Sequence, residues 1–316
     1  MNKTILGDTA RIAAFSMFLV ATVVSGQAVV AEEETGNFLG LDLKGSLGEG
    51  RHSRYVPPMT NPVFNETPYI TTEARAFYFH HVIPDSFVTE GGSVDFGALQ
   101  LRLALTERLA FIATKDGFGR FKFDEVLNDT NGFSNVALGF KYAFYSEPET
   151  ESIATAGLRY EIPVGNLDTS GIDLMGNGSG WLNPFITGAR AFGKLGLQAS
   201  LGGNIALEPS EDTSILHYSA HADYEALPGF FPLVEFNGFT AIDNGNRSTG
   251  ALGQLDGVDV LNFGSEDRDT TLTVAGGFRY VANENLQFGT AYEMPITDED
   301  NTIIDWRVYF DVVLSF

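Results

Sequence analysis

The last twelve residues, Asp305–Phe316 (DWRVYFDVVLSF), place Trp306, Val308, Phe310, Val312, Leu314 and Phe316 on one parity. Asp305, Arg307, Tyr309, Asp311 and Ser315 hold most of the other. Successive side chains of a strand point to opposite faces, so this segment presents one apolar and one charged face. The same period of two recurs from Glu73 onward in twelve segments. They run approximately 73–83, 93–105, 109–116, 133–145, 152–163, 181–192, 195–207, 215–225, 231–241, 270–281, 286–295 and 303–316. A tilted membrane-crossing strand needs about 9–11 residues, and most of these segments reach that length.

The connections between them alternate in length. Short links at 106–108, 146–151, 193–194, 226–230 and 282–285 separate longer ones at 84–92, 117–132, 164–180, 208–214, 242–269 and 296–302. Short turns on one side and long loops on the other are the pattern of an outer-membrane barrel. A soluble sandwich has no reason to sort its loops this way. The expected fold is therefore all-β: a 12-stranded antiparallel transmembrane β-barrel with both termini periplasmic. An even count lets the sheet close without an edge.

Segments four, seven and eight show the cleanest faces. Val136, Leu138, Phe140, Tyr142 and Phe144 oppose Asn135, Ala137, Gly139 and Lys141, for example. Around Gly97 the parity of the second segment slips, which predicts a bulge there. Tyr160, Trp181, Tyr292 and Trp306 fall at outer ends, and Tyr142, Phe144, Tyr224, Tyr280 and Phe316 at periplasmic ends. Rings with a polar edge favour those interfaces.

The other terminus gives the compartment. Lys3 and Arg11 flank a charged start, followed by an apolar run from Ile12 to Val24 and the sequence QAVVAEEE. That run is about 13 residues, the length of a signal-peptide core and short of a spanning helix. Residues 1–31 are read as a cleaved signal peptide, 32–72 as an N-terminal segment and 73–316 as the barrel. The segment 32–72 carries Pro57, Pro58, Pro62 and Pro68 and alternates poorly. It is either a periplasmic tail or a plug threaded into the lumen. Phe38, Leu39, Leu41 and Leu43 need cover, which favours docking.

The chain has no cysteine and a formal net charge of −22. The first removes disulfide frameworks and thiolate chemistry. The second repels phosphate backbones, so no nucleic-acid partner is expected. No cofactor, metal or catalytic residue is expected either.

A signal peptide, twelve alternating strands and a terminal phenylalanine resemble a Gram-negative outer-membrane β-barrel protein. The resemblance implies that the last strand, with Phe310, Val312, Leu314 and Phe316, is read by the barrel assembly machinery. More narrowly, TNPVFNETP near the N-terminus, YEIP in segment five and the glycine-rich even strands are similar to barrels of the meta-pathway phenol-degradation family. They are similar, more distantly, to outer-membrane channels for hydrophobic compounds. Fatty-acid members of the latter have fourteen strands and an Asn-Pro-Ala hatch, where this chain has Asn61-Pro62-Val63.

The sequence echoes itself: VALGFKY (136–142) returns as VAGGFRY (274–280), and YEIPV (160–164) as YEMPI (292–296). Six strands apart, the two hairpins should face each other. Arg102, Lys141, Arg159, Arg190, Arg279 and Arg307 are expected to point inward. So are Glu161, Asp223, Glu235, Glu293, Asp305 and Asp311, with His217 and His221 between them. Twelve strands leave a narrow, partly obstructed passage. Mixed charges suit both a self-neutralising scaffold and a pore with a transverse field. The apolar stretch ALGQLDGVDVLNF, within 242–269, is expected to fold inward and narrow or lid the opening.

The expected function is passive passage of small solutes across the outer membrane, with hydrophobic or aromatic compounds implied by the resemblance. The alternatives are an adhesin-like or structural barrel and an outer-membrane lipid hydrolase. The hydrolase needs a serine with a base in reach on the lipid side. His217, Ser219 and His221 share an inward face instead. Expected partners are outer-membrane lipid and lipopolysaccharide, the assembly machinery and a small-molecule solute.

Overall fold

The computed structural model describes residues 37–38, 41–176, 178–247, 258–264, 270–297 and 303–316; the signal-peptide reading at 1–31 lies outside them. Twelve long strands close into an antiparallel barrel. They are β1 Glu73–Ile83, β2 Gly92–Ala104, β3 Leu109–Lys115, β4 Val136–Glu147, β5 Ser152–Ile162 and β6 Trp181–Phe192. The circuit continues with β7 Leu195–Ala206, β8 Ser214–Tyr224, β9 Phe230–Asp243, β10 Thr270–Asn283, β11 Leu286–Pro295 and β12 Trp306–Ser315. Each strand pairs with its sequence neighbours, and β12 returns to β1 with Phe310 opposite Tyr78. Closure removes the sheet edge, which lipid could not hydrate.

The side chains are inside out relative to a soluble protein. Phe140, Tyr142, Phe144, Leu158, Leu195, Leu197, Leu201 and Phe310 are exposed on the outer wall. Arg75, Arg102, Lys141, Arg159, Glu235, Arg279 and Asp311 are buried within it. Apolar-out and polar-in at every step is the solution for a sheet whose outer solvent is hydrocarbon. Inward aromatic residues break this pattern in β1, where Phe77 and Phe79 share a face with Glu73 and Arg75.

Three sequence expectations change. The expected bulge at Gly97 belongs to the partner strand. Val94, Phe96, Gln100, Arg102 and Ala104 keep one inward parity through β2. The extra residue falls between β3 and the strand Phe118–Phe123, where the Asp116 carboxylate accepts the stranded Leu99 N–H at 3.1 Å. A one-residue insertion flips every later side chain. Accordingly Ile112 points inward before it and Phe121 after it. The expected loop 117–132 is thus largely sheet, a hairpin of Phe118–Phe123 and Thr130–Phe133 that prolongs the wall. Trp181 is also not part of a lipid-facing girdle. It lies on the inward parity of β6, 1% exposed, with Nε1–H bonded to the Thr213 carbonyl at 3.3 Å.

The internal echo preserves register. Ala137 stands opposite Glu161 in one hairpin, and Ala275 opposite Glu293 in the other.

Candidate functional site

The interior of the barrel is occupied, and the occupant is the proline-rich chain before β1. Pro57, Pro58, Pro62 and Pro68 lack an N–H and cannot enter a ladder, so residues 55–71 run as irregular extended chain. At Asn61 the backbone takes a φ of +50°, tolerable for asparagine, and turns so that Phe64 and Asn65 N–H groups return to the Asn61 carbonyl. Val56, Met59, Thr60, Val63, Phe64, Glu66, Thr67 and Ile70 are all buried.

A buried strand-like segment without a ladder must satisfy its backbone elsewhere. Here inward side chains of the wall do so. Gln198 donates to the Val56 carbonyl at 2.6 Å, Arg279 to Pro57 at 3.0 Å, Arg75 to Met59 at 3.1 Å and Gln100 to Pro62 at 2.6 Å. Arg159 reaches Val63 at 2.5 Å, Thr187 reaches Glu66 at 2.8 Å, Lys141 reaches Thr67 at 2.8 Å and Thr155 reaches Pro68 at 2.6 Å. In the other direction, Glu235 accepts the N–H groups of Met59 and Thr60 at 2.7 and 2.6 Å. Gly289 leaves room for this approach, since a Cβ there would stand 2.1 Å from the Met59 sulfur.

Charge is neutralised in a belt around the segment. Glu66 binds Arg102 and Lys141, and Arg102 also binds Glu73 at 3.0 Å. Asp311 is shared by Arg279 at 2.9 Å and Arg75 at 2.6 Å. His221 bridges Glu235 at 2.6 Å and Asp223 at 3.2 Å, and Asp223 also pairs with Arg54 of the segment. Near the short turns, His52 lies 3.0 Å from the Ser146 hydroxyl and 3.1 Å from the Glu151 carboxylate. There a cavity of about 10 Å³, lined by Arg54, Tyr69, Gln198 and Asp223 among others, has room for roughly one water.

The half nearer the long loops is different. Phe77, Phe79 and Phe96 stack with centroids 5.2–6.5 Å apart and planes within 13–27°, while Phe121 and Phe123 stack at 6.1 Å. Phe64 lies flat on His217 at 4.4 Å. Over these rings close Leu167, Leu174 and Met175 from the β5–β6 connection, Val258, Val260, Leu261 and Phe263 from the β9–β10 connection, and Ile303 and Ile304. In the β9–β10 connection, 248–257 and 265–269 lie outside the described residues. A few polar anchors hold this cover. Arg307 binds Asp259 at 2.8 Å and His81 at 2.6 Å, and Glu293 accepts from Tyr309 and Thr273 at 2.5 Å each. Glu161 holds Lys115 at 2.6 Å.

Of the residues expected to line the lumen, Arg102, Lys141, Arg159, Glu161, His217, His221, Asp223, Glu235, Arg279, Glu293, Arg307 and Asp311 lie buried inside the wall. Arg190 does not. It is exposed on the outward parity of β6 with Leu182 and Ile186, and its guanidinium lies 4.9 Å from the Phe192 ring centre. Gly188 and Ala189 blur the alternation there, so the sequence supports either parity. Asp305 precedes β12 and is only half-buried. Phe310, Val312, Leu314 and Phe316 share the outward face of the last strand. Sequence reasoning missed Glu66, Glu73, Arg75, Lys115 and Asp259. The first and last sit off any strand, Arg75 and Glu73 share their face with phenylalanines, and Lys115 lies at the bulge.

This is the closed 12-stranded antiparallel barrel of outer-membrane proteins, and the fold resembles outer-membrane channels. An outer membrane channel from Pseudomonas putida F1 superposes with a TM-score of 0.59 at 13% identity, covering 83% of this chain and 100% of that one. The NanC porin gives 0.47 at 9% identity, covering 78% and 100%. Outer membrane phospholipase A from Escherichia coli gives 0.39 at 9%, covering 82% and 99%. No protein-family model and no curated protein sequence matches the chain.

Proposed function

We propose that the protein is an outer-membrane channel for small solutes whose passage is blocked until the segment before β1 is displaced. The short turns and both barrel termini face the periplasm in this reading, and the long loops face outward. The observation that carries it is the division of the lumen. One half is a polar socket filled by a segment with no sheet bonds of its own. The other half is a stacked aromatic wall beneath loop cover. Side chains just fill an eight-stranded barrel, so at twelve strands the segment occupies what would otherwise be a passage.

The permeant is a small hydrophobic or aromatic compound. Face-stacked phenylalanines offer offset stacking to a planar aromatic ring but no hydrogen-bond partners to a polyol's hydroxyls. Liposomes containing the reconstituted Glu66→Gln protein, in which the segment loses its charge contact to Arg102 and Lys141, test this by swelling in an aromatic alcohol against a polyol of similar mass. Faster entry of the aromatic solute is expected, relative to protein-free vesicles. Equal, background-level entry of both would overturn the proposal.

One arrangement favours a second reading. Ser146, His52 and Glu151 follow the order of nucleophile, base and acid in a hydrolase. Yet the second Glu151 oxygen takes Ser53 N–H at 2.8 Å and its hydroxyl at 2.6 Å, and the imidazole is sealed, as in a clamp on the segment. Labelling by a serine-directed fluorophosphonate, lost in Ser146→Ala, would support the hydrolase.

A further inference from the structure

The outer wall carries one cationic site that the lumen does not explain. Beyond the bulge, Gly119, Phe121 and Phe123 are buried inward, so Phe118, Arg120 and Lys122 point away from the barrel. Phe118 makes an exposed edge-to-face pair with Phe133 at 5.2 Å. Next along the strand come Arg120 and Lys122, whose backbones are laddered but whose side chains make no hydrogen bond or ion pair with a described residue. Register sets Arg120 opposite Asp95, and Asp95 opposite His80. Asp95 takes the Tyr78 hydroxyl at 2.5 Å and His80 Nδ1 at 2.9 Å, and the His80 side chain, on the outward parity of β1, stays partly exposed. The Lys122 charge also acts on that carboxylate.

Depth locates the site. Asp95 lies about nine residues along β2 from the short-turn end, and at ~2.5 Å of axial rise per tilted residue that is roughly 23 Å, the height of an apolar barrel band. Trp306, about as far along β12, stands 5.6 Å from His80 and stacks on Tyr292 at 6.0 Å. Such rings mark the headgroup boundary. Phe118 and Phe133 thus end the hydrocarbon contact, and Arg120 and Lys122 begin the headgroup contact.

The charge there runs against the chain, whose formal net is −22. Among the described residues, the other lysines and arginines lie in the lumen, before β1, around the short turns, or, for Arg247, on the carbonyls of Asn262 and Phe263. Two cations sharing the single Asp95 carboxylate, beside the His80 imidazole at headgroup depth, complement an anionic lipid head, and guanidinium favours phosphate through paired donors.

We propose that Arg120, Lys122 and His80 bind the phosphoryl groups of lipopolysaccharide in the outer leaflet. The site rests on the orientation given above, with the long loops outward. Full-length protein, refolded free of lipopolysaccharide, would be titrated with bisphosphorylated and with dephosphorylated lipid A and the complexes counted by native mass spectrometry. The bisphosphorylated form should bind the wild type at least tenfold more tightly than the Arg120→Gln, Lys122→Gln double variant. The dephosphorylated form should not separate the two. Arg190→Gln with Lys194→Gln, at the short-turn end, should bind as the wild type. Heat-modifiable migration confirms that each variant is folded. Equal binding by the wild type and the Arg120/Lys122 variant, or an equal loss in the Arg190/Lys194 variant, would overturn the site. Solute entry in the same preparations separates the two readings, because the lipid site predicts no change in flux. Selective lipid A binding by a wild type whose Glu66→Gln variant also passes no solute would sink the channel and keep the site.

Discussion

Arg102 grips Glu66 through two parallel hydrogen bonds, Nε to Oε1 and Nη2 to Oε2, each 2.8 Å long, and Lys141 adds a third at 2.7 Å. The carboxylate belongs to the segment and both cations to the wall, so the contact joins the inserted chain to the laddered barrel. Removing one partner of a buried ion pair costs about 3–5 kcal/mol, because the other charge is left uncompensated. Glu66→Gln should therefore unseat the segment and leave the laddered barrel folded. Planar-bilayer recordings are expected to show frequent openings in the variant and rare ones in the wild type. Identical records from a variant that still migrates as a folded barrel would show that this contact does not govern passage.

The same carboxylate sets the response to acid. Burial alone would raise the Glu66 pKa, but Arg102 and Lys141 outweigh it and hold the group well below the usual carboxylate range. A depressed folded pKa contributes stability that is present above the unfolded value, about 4.3, and is lost as pH falls through the folded value. The Glu66 contribution to seating should accordingly be constant between pH 8 and 5 and weaken only in stronger acid. Opening frequency recorded across that range checks the sign; a rise between pH 7 and 5 would point to another group.

The parts legible in sequence were those governed by strict period two and by loop length. Lys141, Arg279, Glu161 and Glu293 stand on strands whose outward neighbours are uniformly apolar, so their inward direction followed from alternation. Arg190 failed because glycine and alanine on either side carry no facial signal. The hairpin 118–133 was hidden by one inserted residue at 114–117, which makes Phe118, Phe121 and Phe123 look unphased against Ile112. The course of 52–72 was not readable as periodicity, since its contacts come from side chains spread over most of the strands. Its prolines showed only that it could not be a strand.

Asp259 and Arg307 form the polar anchor of the long-loop cover at 2.8 Å, while Val258, Val260, Leu261 and Phe263 supply apolar burial around it. Asp259→Asn leaves Arg307 without a counter-charge from that connection, at a cost of about 3 kcal/mol if the pair is broken. Amide exchange at 258–264 should then speed up by roughly 100-fold through local opening, with the strand amides of β12 unchanged. Exchange that accelerates equally in β12 would mean that the pair supports the barrel and not the cover.

Folding and assembly are tested separately by a substitution at Phe316. Its side chain is 66% exposed on the outward face and its N–H bonds the Thr72 carbonyl at 3.0 Å, a contact that any residue makes. Phe316→Ala therefore removes little from the finished barrel, about 0.5 kcal/mol or less in detergent, as for other exposed positions. If the terminal aromatic face of Phe310, Val312, Leu314 and Phe316 is what the assembly machinery reads, the same substitution should act earlier. Cells are then expected to accumulate several-fold less heat-modifiable barrel, while protein refolded from urea matches the wild type in yield and melting. Equal losses in cells and in detergent would assign Phe316 to stability alone. Equal wild-type levels in both would remove it from the recognition signal.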